Sequence, residues 1–203
     1  MKSTILLSLL LFACDDRSSG LMSAPPAPAD TGTAVPVDSA APPDVAAEPF
    51  DPYPNDWIEA PDGLCDNIDN LAETTYVIDG DTVALTIGKK VRYIGVDAPE
   101  TKSNDCWSQQ AKQALSEMTP MGTTVCLQHD GDSEDAFGRL LRYVYVKRAG
   151  RWVMENARVV RLGASRAYRK FLAGKAYAPQ IEEAEDDARK EDLGGWAHCT
   201  DWK

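Results

Sequence analysis

The sequence predicts an α+β, mainly β domain: a five-stranded barrel in OB-fold order with three helices, preceded by a disordered Pro/Ala-rich linker. Three observations predict it. Nine of the 13 prolines fall in the first 60 residues, among Ala, Ser, Asp and Thr. Beyond residue 60, short runs rich in β-branched and aromatic residues alternate with Gly-containing turn signals. One segment of helical period stands between the third and fourth runs, as in an OB barrel.

The first run, Thr74 to Asp79, ends at Asp79-Gly80. Asp81 to Ile87 follows, with Val83, Leu85 and Ile87 on one face, and Gly88-Lys89 turns the chain into Lys90 to Val96. These three runs predict a meander. Trp107, Ala111, Ala114, Leu115 and Met118 recur at helical spacing, so a helix is expected from Trp107 to Met118, stopped by Pro120 and Gly122. Thr123 to His129 reads as the fourth strand and Arg139 to Val146 as the fifth, separated by an acidic loop from Asp130 to Asp135. That loop lacks the closing Glu of an EF-hand and reads as an exposed connection. A second helix is expected over Met154 to Leu162, capped by Gly163. A third runs from Pro179 to about Asp192, with Ile181, Ala184 and Ala188 inward. Its outer face (Glu182, Glu183, Glu185, Asp186, Asp187) reads as solvation.

Residues 1–14 read as a signal peptide: Lys2, the apolar run ILLSLLLFA, then Cys14. The run is shorter than the about 20 residues of a spanning helix. Leu11-Phe12-Ala13-Cys14 resembles a bacterial lipobox, which implies lipidation of Cys14; plain secretion with cleavage near Ala24 is the alternative. Residues 15–60 form the linker, too polar to offset its ordering entropy by burial, and serve as an extended spacer. Residues 61–203 are long enough for one domain with its own core. The expected location is a bacterial membrane, as an anchored lipoprotein in the periplasm or at the cell surface; otherwise the protein is secreted. It is expected to be a monomer.

The net charge of −11 argues against a nucleic-acid partner until it is divided. Residues 1–60 carry −7 and residues 61–203 only −4. Within the domain, Arg139 to Lys175 holds 11 Lys or Arg and one acid, Glu155. A local cationic surface of that size attracts a phosphate backbone whatever the total.

Apart from Cys14, four cysteines remain. An even number in an exported domain favours two disulfides. Three pairings are open; the preferred one is Cys65–Cys199, tying the ends, with Cys106–Cys126 bracketing a helix. A zinc site is disfavoured, with no C-x-x-C pair and only His129 and His198 as histidines.

Val77 to Glu100 concentrates the chemistry. Asp81 follows Gly80, Arg92 sits inside a strand, Asp97 ends it, and Glu100 follows Ala98-Pro99. Carboxylates this dense on strands are costly unless compensated. A hard, oxygen-preferring cation compensates them, and the arginine fits a phosphate beside it. Taken singly, Asp81 also reads as a turn residue, Arg92 as a surface cation and Asp97 as a cap. The set, with Arg139 in phase, points to metal-dependent phosphodiester chemistry. Two other readings stand: a non-catalytic OB-type module that binds single-stranded nucleic acid, and a calcium-binding adhesion domain. The second leaves Arg92 and Arg139 unexplained.

Three segments carry a resemblance: Val77-Ile-Asp-Gly-Asp-Thr-Val83, Arg92-Tyr-Ile-Gly-Val-Asp-Ala-Pro-Glu-Thr-Lys102 and Asp135-Ala-Phe-Gly-Arg-Leu-Leu141. Asn156, Gly163-Ala164, Tyr168 and Leu193-Gly-Gly-Trp196 are weaker echoes. In this order the segments resemble the staphylococcal nuclease (thermonuclease) family. The resemblance implies a Ca2+-dependent endonuclease acting on DNA and RNA and leaving 3′-phosphate ends. It implies metal ligands at Asp81, Asp97 and the Ala98 carbonyl, with Asp79 behind them. It implies Glu100 as the base and Arg92 and Arg139 as phosphate clamps, with Tyr168 and Phe171 as candidate substrate contacts. There are departures: Ala98 stands where threonine is usual, Phe137 where tyrosine is common, and the register slips by one residue around Tyr168.

Overall fold

In the computed structural model, which describes residues 57–202, the first three strands of the domain form an antiparallel meander. They are β1 (Leu71–Asp79), β2 (Thr82–Leu85) and β3 (Lys90–Tyr93). β1 is rich in Thr, Tyr, Val and Ile, which suit a pleated surface. Register shifts at Thr74/Tyr76 and Val77/Asp79 bend it, so that its first half pairs with a different strand from its second. The expected run Lys90 to Val96 is broken: Ile94 and Gly95 turn the chain, and β4 is the pair Val96–Asp97.

α1 (Ser108–Met118) buries Ala111, Leu115 and Met118, the face expected from its period. β5 (Thr124–Gln128) pairs with the first half of β1. β6 (Leu140–Arg148) pairs antiparallel with β5 and parallel with β3, Val91 against Leu140. That parallel contact closes β1, β2, β3, β6 and β5 into a five-stranded barrel, filled by Val83, Val91, Tyr93, Val125, Tyr143 and Tyr145. β7 (Arg151–Met154) extends the sheet beyond β6.

α2 (Glu155–Arg161) ends where Gly163 takes a positive φ of 65°, the left-handed region glycine tolerates. Its Asn156 is fully buried and crosses strands: its carbonyl oxygen accepts from Val144 N–H, and its amide donates to the Ile94 and Arg142 carbonyls. β8 (Arg166–Ala167) pairs with β4, and α3 (Arg169–Leu172), α4 (Ala178–Lys190) and α5 (Gly195–His198) follow. Two of these five helices, α3 and α5, are single turns without the length to show a period. Among the described residues, no helix is long and apolar enough to cross a membrane.

Three expectations are corrected. The outer face of α4 is more than solvation: Glu185 is buried, accepts Ala167 N–H and pairs with Arg169. The end of the expected spacer is part of the domain: Met154 N–H donates to the Ile58 carbonyl and Ala60 N–H to the Trp152 carbonyl. Apolar packing of Ile58 and Ala60 and an ion pair from Glu59 to Arg151 hold this segment on β7. The acidic loop is exposed from Gly131 to Glu134, as expected, and is anchored at its start, where the Asp130 carboxylate accepts from Tyr143 and from Ala176 N–H. The disulfides are Cys65–Cys126 and Cys106–Cys199, not the preferred pairing. The 11 residues of α1 carry the chain about 16 Å away from Cys106 before β5 begins. Cys126 therefore meets the 3-10 turn around Cys65, packed on β5, and Cys106 meets the chain end after α5. The expected signal segment, Cys14 and the linker as far as residue 56 lie outside the described residues.

Candidate active site

The β1–β2 turn, the end of β4 and the approach to β6 come together at one rim of the barrel. The parallel pairing sets Arg92 against Leu141, which brings Arg139 from a distant stretch of chain to the same edge. Asp81, Arg92, Asp97, Glu100 and Arg139 all line one cleft of about 590 Å³.

Asp81 is 5% exposed and fixed at both oxygens. Thr82 donates to Oδ1 at 2.8 Å and Ala98 N–H to Oδ2 at 2.8 Å. Burial pushes the Asp81 carboxyl up to about 7, against the opposing pull of Arg92 and the Ala98 N–H; neighbouring Asp79 adds to the rise. Arg92 Nη1 stands 2.5 Å from Asp81 Oδ2. It lies outside hydrogen-bond geometry, so this buried nitrogen has no hydrogen-bond partner. Arg92 Nη2 lies 3.9 Å from Asp97 Oδ1. A guanidinium thus stands between two carboxylates in the wall of the cleft.

Arg139 is held by Asp135, whose Oδ2 accepts from Nε at 2.6 Å while Oδ1 accepts from the N–H groups of Phe137 and Arg139. Burial raises the Asp135 carboxyl, but the Arg139 and Phe137 donors outweigh it and hold it below the usual carboxylate range. Glu100 is exposed and its loop is closed by a bond from its N–H to Asp105. Tyr168 and Phe171 line the same cleft and meet edge to face at 4.6 Å, and Phe137 and Phe171 stay largely open to water.

A family model described as "Staphylococcal nuclease homologue" matches residues 90–198. The chain belongs to the staphylococcal nuclease family. Endonuclease YncB of Bacillus subtilis is 35% identical over 127 residues, covering 59% of this chain and 58% of that protein. The SPbeta prophage-derived endonuclease YokF of the same organism is 32% identical over 127 residues, 59% of this chain and 42% of its own. Thermonuclease of Staphylococcus intermedius is 33% identical over 126 residues, 59% of this chain and 72% of its own. The chain thus spans about half the length of the two Bacillus relatives.

The family match begins at Lys90, so Asp79 and Asp81 precede it; the β1–β2 turn places Asp81 on the cleft all the same. Asp79 sits behind, its Oδ1 accepting the Asp81 N–H at 3.2 Å. Two residues to which the sequence reading gave no role at the site hold its side chains in place. Asp135 orients Arg139, and Arg166 Nη2 lies 3.4 Å from Asp97 Oδ2. No local pattern marks Arg166; only the pairing of β4 with β8 sets it opposite Asp97.

Among the described residues, Cys106, Cys199 and Asp201 form the one group of three candidate ligand atoms within 4.8 Å of one another, and its sulfurs are joined in a disulfide. Asp81, Asp97 and Glu100 stand wider apart. The carboxylates of Asp81 and Asp97 on the cleft are nonetheless the donor type that a hard divalent cation prefers. The raised Asp81 carboxyl marks a negative charge that the protein alone undercompensates.

Proposed function

We propose that this chain is a Ca2+-dependent endonuclease that hydrolyses phosphodiester bonds of DNA and RNA and leaves 3′-phosphate ends. The observation that carries the reading is the convergence of Asp81, Arg92, Asp97, Glu100 and Arg139 on one cleft. Asp81, Asp97 and the Ala98 carbonyl would hold the ion. Bound there, Ca2+ supplies Lewis-acid polarisation of a non-bridging phosphoryl oxygen.

The side chains do the rest. Glu100, open to water at the cleft edge, takes or orients the proton of the attacking water. Arg92 and Arg139 present fixed forks to the phosphoryl oxygens, where negative charge peaks in the five-coordinate state. Water attacks phosphorus, the P–O5′ bond breaks, the phosphate stays on O3′, and the departing 5′ oxygen takes a proton from solvent water to leave as a hydroxyl. Phe137, Tyr168 and Phe171 offer faces for bases flanking the scissile bond.

Export is part of the same proposal. Cys14 is lipidated and anchors the protein in a bacterial membrane, and the proline-rich segment holds the domain off it as a monomer. The two disulfides support an oxidising compartment.

The test is digestion of plasmid and RNA by the purified chain with Ca2+, Mg2+ or chelator, followed by identification of product ends. Arg139→Ala and Glu100→Gln are each expected to slow hydrolysis about 100- to 1,000-fold without unfolding the protein. Full activity in chelator, or 5′-phosphate products, would sink the reading. Tight, salt-sensitive DNA binding with intact DNA after long incubation in Ca2+ would favour a non-catalytic binding module instead.

A further inference from the structure

Asp97 presents its two oxygens to two different arginines. Oδ1 faces Arg92 at the cleft. Oδ2 faces Arg166 at 3.4 Å. Asp97 lines the cleft and Arg166 does not, so Arg166 stands behind the carboxylate as seen from the cleft. Four independent contacts fix its place. Arg166 and Asp97 are register partners across β4 and β8. The preceding Ser165 donates to the Gly80 carbonyl at 3.1 Å, tying β8 to the turn that carries Asp81. The next residue, Ala167, donates to buried Glu185 at 2.9 Å. The guanidinium itself lies over the Trp202 ring, 5.3 Å from its centroid.

Trp202 is in turn buried at the end of the chain, edge-on to Trp196 at 5.3 Å. The Cys106–Cys199 disulfide fastens that end to the start of α1. Arg166 Nε is buried and has no hydrogen-bond partner. A fold that keeps a buried donor unpaired beside one carboxylate points to a role at that carboxylate.

We propose that Arg166, braced by Trp202, is a positioning residue for Asp97: it holds Oδ2 so that Oδ1 stays turned to the cleft. This rests on the metal-binding reading above. The arginine touches neither substrate nor ion; it acts through the carboxylate. Hydrogen-bonded partners behind metal ligands commonly set affinity in this way.

The sign of the effect separates positioning from bulk electrostatics. Removing a positive charge near a cation site, taken alone, tightens cation binding. Loss of positioning weakens it. The experiment is calorimetric Ca2+ titration of the full chain and of Arg166→Gln, Arg166→Lys and Trp202→Phe, with circular dichroism and melting curves to confirm each fold. Arg166→Gln is expected to bind Ca2+ about 10-fold more weakly. Arg166→Lys recovers part of the loss, and Trp202→Phe shifts affinity in the same direction by less. In hydrolysis the Arg166→Gln defect shows as a raised Ca2+ requirement, with kcat at saturating Ca2+ nearly unchanged. Equal or tighter Ca2+ binding by folded Arg166→Gln overturns this proposal alone. Absence of divalent-ion binding by the unsubstituted chain overturns it together with the metal-dependent reading.

Discussion

A carboxyl held as far from water as Asp81 prefers its proton. Its folded-state pKa of about 7 lies above the ordinary carboxylate value, so the group favours the fold at acid pH. That contribution is complete below about pH 4 and is lost as pH rises through 7. In the ion-free protein at pH 8, Asp81 is therefore a destabilising charge. Asp81→Asn is expected to raise the melting temperature in chelator at pH 8, with a smaller gain at pH 5. The same variant should lose metal-dependent hydrolysis. An unchanged or lower melting temperature at pH 8 would contradict the burial argument. Asp81, Arg92, Asp97, Glu100 and Arg139 stood out in sequence through the density of carboxylates and the order of the family's motifs, and the fold gathers them at one cleft. Arg166 did not stand out, because its significance comes from a neighbour on another strand.

Strand and helix positions were legible where the period was long. α1 and α4 bury the faces their spacing predicts, and β1, β2 and β3 form the expected meander. The parallel pairing of β3 with β6 carries no local signal, yet it brings Arg139 to Arg92. The break between β3 and β4 rests on Gly95, whose φ of 76° is strained for other residues. A Cβ there would also run into Leu172 and come within 3.1 Å of Ile181. Gly95→Ala is expected to cost about 1–3 kcal/mol, measured by urea unfolding, from backbone strain and overpacking. It should also impair hydrolysis, since Gly95 carries Asp97 into the cleft and its carbonyl accepts Tyr168 N–H at 2.8 Å. A neutral substitution would mean that this turn relaxes easily.

Across the whole molecule, barrel closure and helix order followed from the succession of elements, whereas the cysteine partners did not. Pairing depends on which surfaces meet after closure, and four cysteines spaced along a chain are silent on that. Peptide mapping under non-reducing conditions is expected to recover Cys65 joined to Cys126 and Cys106 joined to Cys199. A Cys65–Cys199 peptide would contradict the packing described above. Replacing either pair by alanine should cost about 2–5 kcal/mol, read as a lower urea midpoint. The bond between Cys106 and Cys199 has a second consequence. It encloses the exposed segment from Gly131 to Glu134. A protease that nicks the backbone there severs the polypeptide without releasing either fragment, so the clipped enzyme migrates as one band on a gel until a thiol is added.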